Sequence, residues 1–265
     1  MKLSQLENNI KNKKSFLCLG LDSDIDKIPK HLLGHSDPVF EFNKILIDEL
    51  NQKIVAVKLN TAFYESRGAA GWTSMEKTIN YLNKFYPELF TIADAKRGDI
   101  GNTSKMYAKA FFENLNFDSI TLSPYMGIDT VSEFMDYDEK YPIILALTSN
   151  QGAEDFQIPN NLYETVITKS MSLKGAKKIM FVVGATKSDF LKHLRNILPD
   201  NFLLLPGVGA QGANISEVIN SCTNSENKKI LINVSRSIIY AGNDENFVLE
   251  AVKKVDELNN SFNFK

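Results

Sequence analysis

Eight short apolar runs, each followed by a stretch of helical character, constrain this chain more than any other feature. The runs lie at 15–21, 53–57, 89–93, 119–122, 142–147, 178–183, 202–205 and 229–234. They are continuous rather than alternating, the pattern of strands in a parallel sheet buried on both faces. Helices are predicted over 38–51, 73–86, 102–114, 127–138, 160–173, 187–197, 212–222 and 244–259, with another at 3–13 leading in. Asp37-Pro38 supplies an N-cap followed by proline in the first turn, and Thr73 or Ser74 is a candidate cap for the helix 73–86. Eight strand–helix units predict an α/β fold, a (β/α)8 TIM barrel spanning 1–265 as a single domain with a short N-terminal helix. An open doubly wound sheet alternates in the same way, and the count of eight separates the two. The stretches 23–37 and 61–72 are longer than usual connections and are candidates to line or cover a site.

Barrel active sites gather at the C-terminal ends of the strands. Those ends carry Asp22, Lys58, Asp94 with Lys96, Ser149, the loop from Pro206 to Gln211, and Arg236. Chemistry is expected above all at Asp94-Ala95-Lys96-Arg97-Gly98-Asp99, which puts charges of both signs at an apolar strand mouth. Residues two apart in a strand share a face, so Asp94 and Lys96 are expected on one side, with Asp99 in the turn beyond.

Gly207-Val208-Gly209-Ala210-Gln211-Gly212 reads as G-x-G-x-x-G. A dinucleotide site would need an acid at the end of the next strand, and that strand ends in Ser235-Arg236 instead. A phosphate site fits better. Glycines let backbone N–H groups approach an anion, Gln211 offers an amide, and Arg236 is a planar cation suited to phosphate. The three histidines, His31, His35 and His193, form no metal-binding pattern, and no metal is expected.

The formal net charge of −2 gives no basic bias toward nucleic acid. No apolar run approaches the roughly 20 residues that span a bilayer, and the N-terminus lacks the apolar core of a signal peptide. Cys18 and Cys222 are expected to be buried, reduced thiols in a cytoplasmic protein.

The string Asp94-Ala95-Lys96-Arg97-Gly98-Asp99-Ile100-Gly101-Asn102-Thr103 resembles the active-site signature of the orotidine 5′-phosphate decarboxylase family. The likeness extends to Gly20-Leu21-Asp22, Val57-Lys58, Thr148-Ser149-Asn150-Gln151-Gly152, Pro206-Gly207-Val208-Gly209-Ala210-Gln211 and Ser235-Arg236-Ser237. It implies loss of CO2 from C6 of the orotate ring to give UMP, the last step of de novo UMP synthesis, with no metal or organic cofactor. It also implies a homodimer with shared sites, in which one chain supplies Lys58, Asp94 and Lys96 and its partner Asp99, Ile100 and Thr103. Lys96 would donate the proton to C6. Asp22 would hold the ribose and Ser149 the pyrimidine amide, with Pro206, Gln211, Ser235 and Arg236 around the phosphate end. Many members have glycine where this chain has Ser235, so the turn there must accept a side chain. The two long loops resemble the longer bacterial branch of the family. The shorter D-x-K-x-x-D pattern is shared with Mg2+-dependent sugar-phosphate decarboxylases and synthases, the nearest alternative. A phosphate-binding barrel without activity would not explain a lysine set between two acids.

Overall fold

Burial of the eight apolar runs makes a parallel sheet that closes on itself. The computed structural model describes residues 1–184, 188–207, 215–224, 227–262 and 264. Among these, eight strands follow one another in chain order round a closed barrel: β1 Leu17–Gly20, β2 Ala56–Asn60, β3 Phe90–Arg97, β4 Ser119–Leu122, β5 Tyr141–Leu147, β6 Met180–Val183, β7 Leu203–Pro206 and β8 Ile230–Val234. The barrel expected from the alternation of strand and helix is the one observed. No helix among the described residues is long and apolar enough to cross a membrane.

The chain forms two compact units, one of Leu3–Ala95 with Val234–Phe264, the other of Lys96–Asn233. In the first, β1 pairs with β2 and β2 with β3, all parallel. The helices Leu3–Lys13 and Pro38–Leu50 form where the sequence predicts them. Asp37 caps the second by accepting from the Phe40 N–H at 3.2 Å, and Pro38 needs no donor in the first turn. Phe16, Phe42, Phe90 and Phe262 are fully buried in this unit.

Three expectations change here. The stretch 61–72 is not an open loop: Thr61–Glu65 is helical, and the next helix already begins at Gly68 and runs to Phe85. Thr73 and Ser74 lie inside that helix, where their hydroxyls donate back to the carbonyls of Ala69 and Ala70 instead of capping an end. The early start depends on Gly71. A Cβ there would lie 1.8 Å from the Tyr64 carbonyl oxygen, so only glycine lets the two helices approach. The last helix is Phe247–Ser261 rather than 244–259, because Asp244 closes a turn on the Asn246 N–H at 2.8 Å.

In the second unit β4 pairs with β5, β5 with β6, and β6 with β7, again in parallel, with a bulge between Leu145 and Leu147. The helix Gly101–Ala108 continues as a wider turn over Lys109–Asn114. Of the helix expected over 127–138 only Asp129–Ser132 is regular, since Phe134 and Met135 donate to carbonyls three residues back and tighten the chain into turns. The helix expected from 160 begins at Leu162, because Asn160 and Asn161 both sit at φ +53. The segment 23–37 holds two short 3-10 turns, Ile25–Lys27 and Lys30–Gly34.

Candidate active site

Register explains why three charged side chains meet in the first unit. Gly20 pairs with Lys58, and Asn60 with Asp94. In a parallel pair, register partners and residues two further along share a face. Lys58 and Asp94 are therefore diagonal neighbours, and Asp22 follows two residues beyond Gly20, which contributes no side chain. The Lys58 Nζ lies 2.9 Å from Asp94 Oδ2 and 3.8 Å from Asp22 Oδ1. Only 5% of Lys58 is exposed.

Lys58 is thus a buried cation between two acids, and it sits in the middle of β2 rather than at its end as expected. Burial by itself works to lower the Lys58 pKa. The charges of Asp94 and Asp22 and the hydrogen bond to Asp94 outweigh it and hold the ammonium well above the ordinary lysine range. Cys18, beneath them on β1, is pushed up to about 12 by burial, an effect Lys58 partly offsets and the two acids reinforce. Asp22 Oδ1 is buried yet accepts no hydrogen bond. Such an acceptor is normally satisfied, so it suits a donor on a ligand.

The backbone around Asp22 is held from two directions. The Tyr64 hydroxyl donates to the Leu21 carbonyl at 3.1 Å, and the Tyr240 hydroxyl donates to the Asp22 carbonyl at 3.1 Å while accepting from the Asp24 N–H at 2.7 Å. Ser23 donates to Asn43 at 2.5 Å, and Asn43 donates to Tyr64 and Thr78. No sequence signal marked Asn43, Tyr64 or Tyr240; they resemble ordinary core positions on helices and turns.

At the end of β8, Ser235 has φ −121, outside the left-handed region that favours glycine, with ψ −97. Its Oγ is buried without a hydrogen-bond partner. Arg236 is exposed and opens the short helix Arg236–Ile239.

The second unit holds the remaining expected residues. β3 runs through Lys96 to Arg97, past the strand end expected at Asp94. Lys96 is exposed and has φ +48, outside the extended region, so the simple alternation that would put it on the face of Asp94 stops at Ala95. Its N–H donates to Thr121 Oγ1 at 2.9 Å. Asp99 is half-buried and accepts from the Ile100 N–H at 2.8 Å, while the Ser104 hydroxyl donates to the Asp99 carbonyl. Ile100 and Thr103 are exposed at the start of Gly101–Ala108. Ser149 follows β5 beside Thr148, whose N–H donates to Gln157 at 2.7 Å and whose hydroxyl accepts from the Gln157 amide at 2.9 Å. A Cβ at Gly184 would lie 2.8 Å from the Ser149 backbone, so glycine lets the end of β6 pack there. Pro206 ends β7 in register with Asn233, and Gly207 turns away at φ +86. Gln211 and the glycine-rich loop at 208–212 lie outside the described residues.

Among the described residues no group of three or more histidine, cysteine, aspartate or glutamate side chains is placed to hold a metal ion. His193 instead faces Glu164 at 2.9 Å on the surface.

Comparison with known proteins shows the family. Residues 15–251 match the model of the orotidine 5′-phosphate decarboxylase / HUMPS family. The chain is 54% identical to the orotidine 5′-phosphate decarboxylase of Flavobacterium johnsoniae over 257 residues, 95% of this chain and 93% of that one. It is 50% identical to the enzyme of the same name from Bacteroides fragilis, covering 97% and 96%. Among solved structures, Leishmania donovani OMP decarboxylase superposes with a TM-score of 0.80 at 30% identity, over 97% of this chain and 98% of that one. A family match over most of the length, joined to a closed eight-stranded barrel and charged strand ends, places the chain in the orotidine 5′-phosphate decarboxylase / HUMPS family.

Proposed function

We propose that Lys96 delivers the proton to C6 as this decarboxylase converts orotidine 5′-phosphate to UMP and CO2, without metal or organic cofactor. Decarboxylation of this nucleotide, a step of pyrimidine biosynthesis, is the activity of the family's enzymes to which the chain is half identical. The observation that carries the reading is the row of Asp22 just past β1, Lys58 within β2 and Asp94 within β3, with a buried Asp22 oxygen suited to a donor such as a ribose hydroxyl.

Departure of CO2 leaves an electron pair at C6 with no ring system to absorb it. The protein must oppose that charge electrostatically. The Lys96 ammonium meets the developing charge and then protonates the carbon. Asp94 and Asp99 set negative charge beside the departing carboxylate. Lys58 balances them, so the row Lys58, Asp94, Lys96, Asp99 sums to zero, which limits the cost of holding it in a partly dry site. A unit-charge contact at about 4 Å is worth about 4 kcal/mol at an effective dielectric near 20. Enzymatic acceleration requires about 8–23 kcal/mol. Binding energy from the phosphate end, at Pro206, Gln211, Ser235 and Arg236, therefore has to contribute through orientation and closure. Ser149 reads the pyrimidine amide.

The working unit is a cytoplasmic homodimer in which Asp99, Ile100 and Thr103 complete the partner's site. Loss of orotate absorbance on addition of orotidine 5′-phosphate tests the reading. Turnover that survives a chelator and vanishes in Lys96→Ala, with UMP still bound, is the expected result. Near-normal turnover by Lys96→Ala overturns the assignment of the proton donor, and dependence on Mg2+ favours the sugar-phosphate alternative.

A further inference from the structure

Lys96 carries a backbone conformation that lysine avoids, at φ +48. For an L-residue the left-handed region costs about 1–2 kcal/mol, and such a residue persists only where its surroundings over-determine it. At Lys96 the surroundings are the end of β4. The Lys96 N–H is taken by a side chain, Thr121 Oγ1, at 2.9 Å. One residue later the Arg97 carbonyl accepts from the Ser123 N–H at 2.8 Å. A Cβ at Gly98 would lie 2.5 Å from the Ser123 carbonyl oxygen, so the chain just past Lys96 is pressed against β4. Thr121 is 1% exposed and β-branched, which restricts its χ1 and fixes where its oxygen stands.

We infer that Thr121 is a positioning residue for Lys96: its hydroxyl oxygen holds the Lys96 N–H and thereby fixes the direction in which the lysine side chain leaves the strand. Thr121 touches no reacting atom. It acts at the root of a long side chain, where a small change of φ is magnified at the ammonium, and a misplacement of about 1 Å can cost about 100-fold in rate. The inference rests on Lys96 as the proton donor.

The test compares Thr121→Val, which keeps shape and removes the acceptor, with Thr121→Ser, which keeps the acceptor. Thr121→Val is expected to lower kcat at least about tenfold while UMP affinity, read by calorimetry, stays within about twofold. Thr121→Ser is expected to stay within about threefold of wild type. Thr121→Ala, which adds no methyl in place of the hydroxyl, is expected to repeat the split and serves if the valine variant does not fold. A kcat within about twofold of wild type in both hydroxyl-free variants overturns the inference, as does a serine variant as slow as they are or a UMP affinity that falls with kcat. Lys96→Ala measured alongside separates the two failures. If it still turns over, the reading of Lys96 falls; if it is dead while Thr121→Val is normal, only the role of Thr121 falls.

Discussion

The Tyr240 hydroxyl donates to the carbonyl oxygen of Asp22 across 3.1 Å, although 218 residues separate them in the chain. Through this bond the turn that follows Arg236 is tied to the acid beside Lys58. The tyrosine ring stacks on Phe42 at 5.9 Å, so the hydroxyl can be removed without emptying the space. Tyr240→Phe leaves the Asp22 carbonyl and the Asp24 N–H without this partner, a loss of about 1–3 kcal/mol. The expected outcome is a UMP affinity weakened by about tenfold. Calorimetric titration checks it, and an unchanged affinity would show that the bond does not hold Asp22 for binding.

Lys58 makes a prediction with a defined pH window. Its folded pKa lies above the value of an unfolded lysine, about 10.4. The stabilisation from pairing is therefore present in full below that value and is lost as pH rises through the higher folded one. Lys58→Met strands two largely buried carboxylates and is expected to cost about 3–5 kcal/mol. The difference between wild type and variant in urea unfolding should be flat from about pH 6 to about pH 9. A difference that shrinks as pH rises within this window would contradict a permanently charged Lys58.

Cys18 and Cys222 are buried and free, and burial pushes both thiols up to about 12. Thiolate is the reactive form, and at about pH 8 only about one molecule in ten thousand carries it at either position. Ellman's reagent is expected to label neither in the folded protein and both in urea. Rapid native labelling of either would place that sulfur at the surface.

The proposed sharing of sites between subunits predicts complementation. Lys96→Ala and Asp99→Ala are each expected to be inactive alone. Mixed and allowed to exchange subunits, they should regenerate one intact site per mixed dimer, or about a quarter of wild-type activity in an equal mixture. A mixture that stays dead while mixed dimers form by native mass spectrometry would mean that Asp99 serves its own chain.

Topology was the legible part of this protein. Continuous apolar runs specify buried parallel strands, and the C-terminal end of each names its polar residue, so Asp22, Ser149 and Arg236 follow their strands as the pattern predicts, while β3 runs past Asp94 to Arg97. Lys58 was legible as a residue but not as a position. A lysine reads as the end of an apolar run, whereas β2 continues through Leu59 to Asn60 because two acids neutralise the charge. Tyr64, Asn43 and Thr121 were not legible at all. Their polar atoms serve groups up to 43 residues away, and nothing in the local sequence marks such a bond. The φ of Lys96 was hidden for a related reason: glycine usually announces a left-handed residue, and here there is none.

That hidden angle has a chiral consequence. Position 96 takes the backbone handedness natural to a D-residue or to glycine, and the proposed chemistry asks for an amine that glycine lacks. The genetic code offers no residue that meets both demands. The strand mouth is accordingly built to be less stable than it need be, and Lys96→Gly, expected to be inactive, should melt at a higher temperature than the working enzyme.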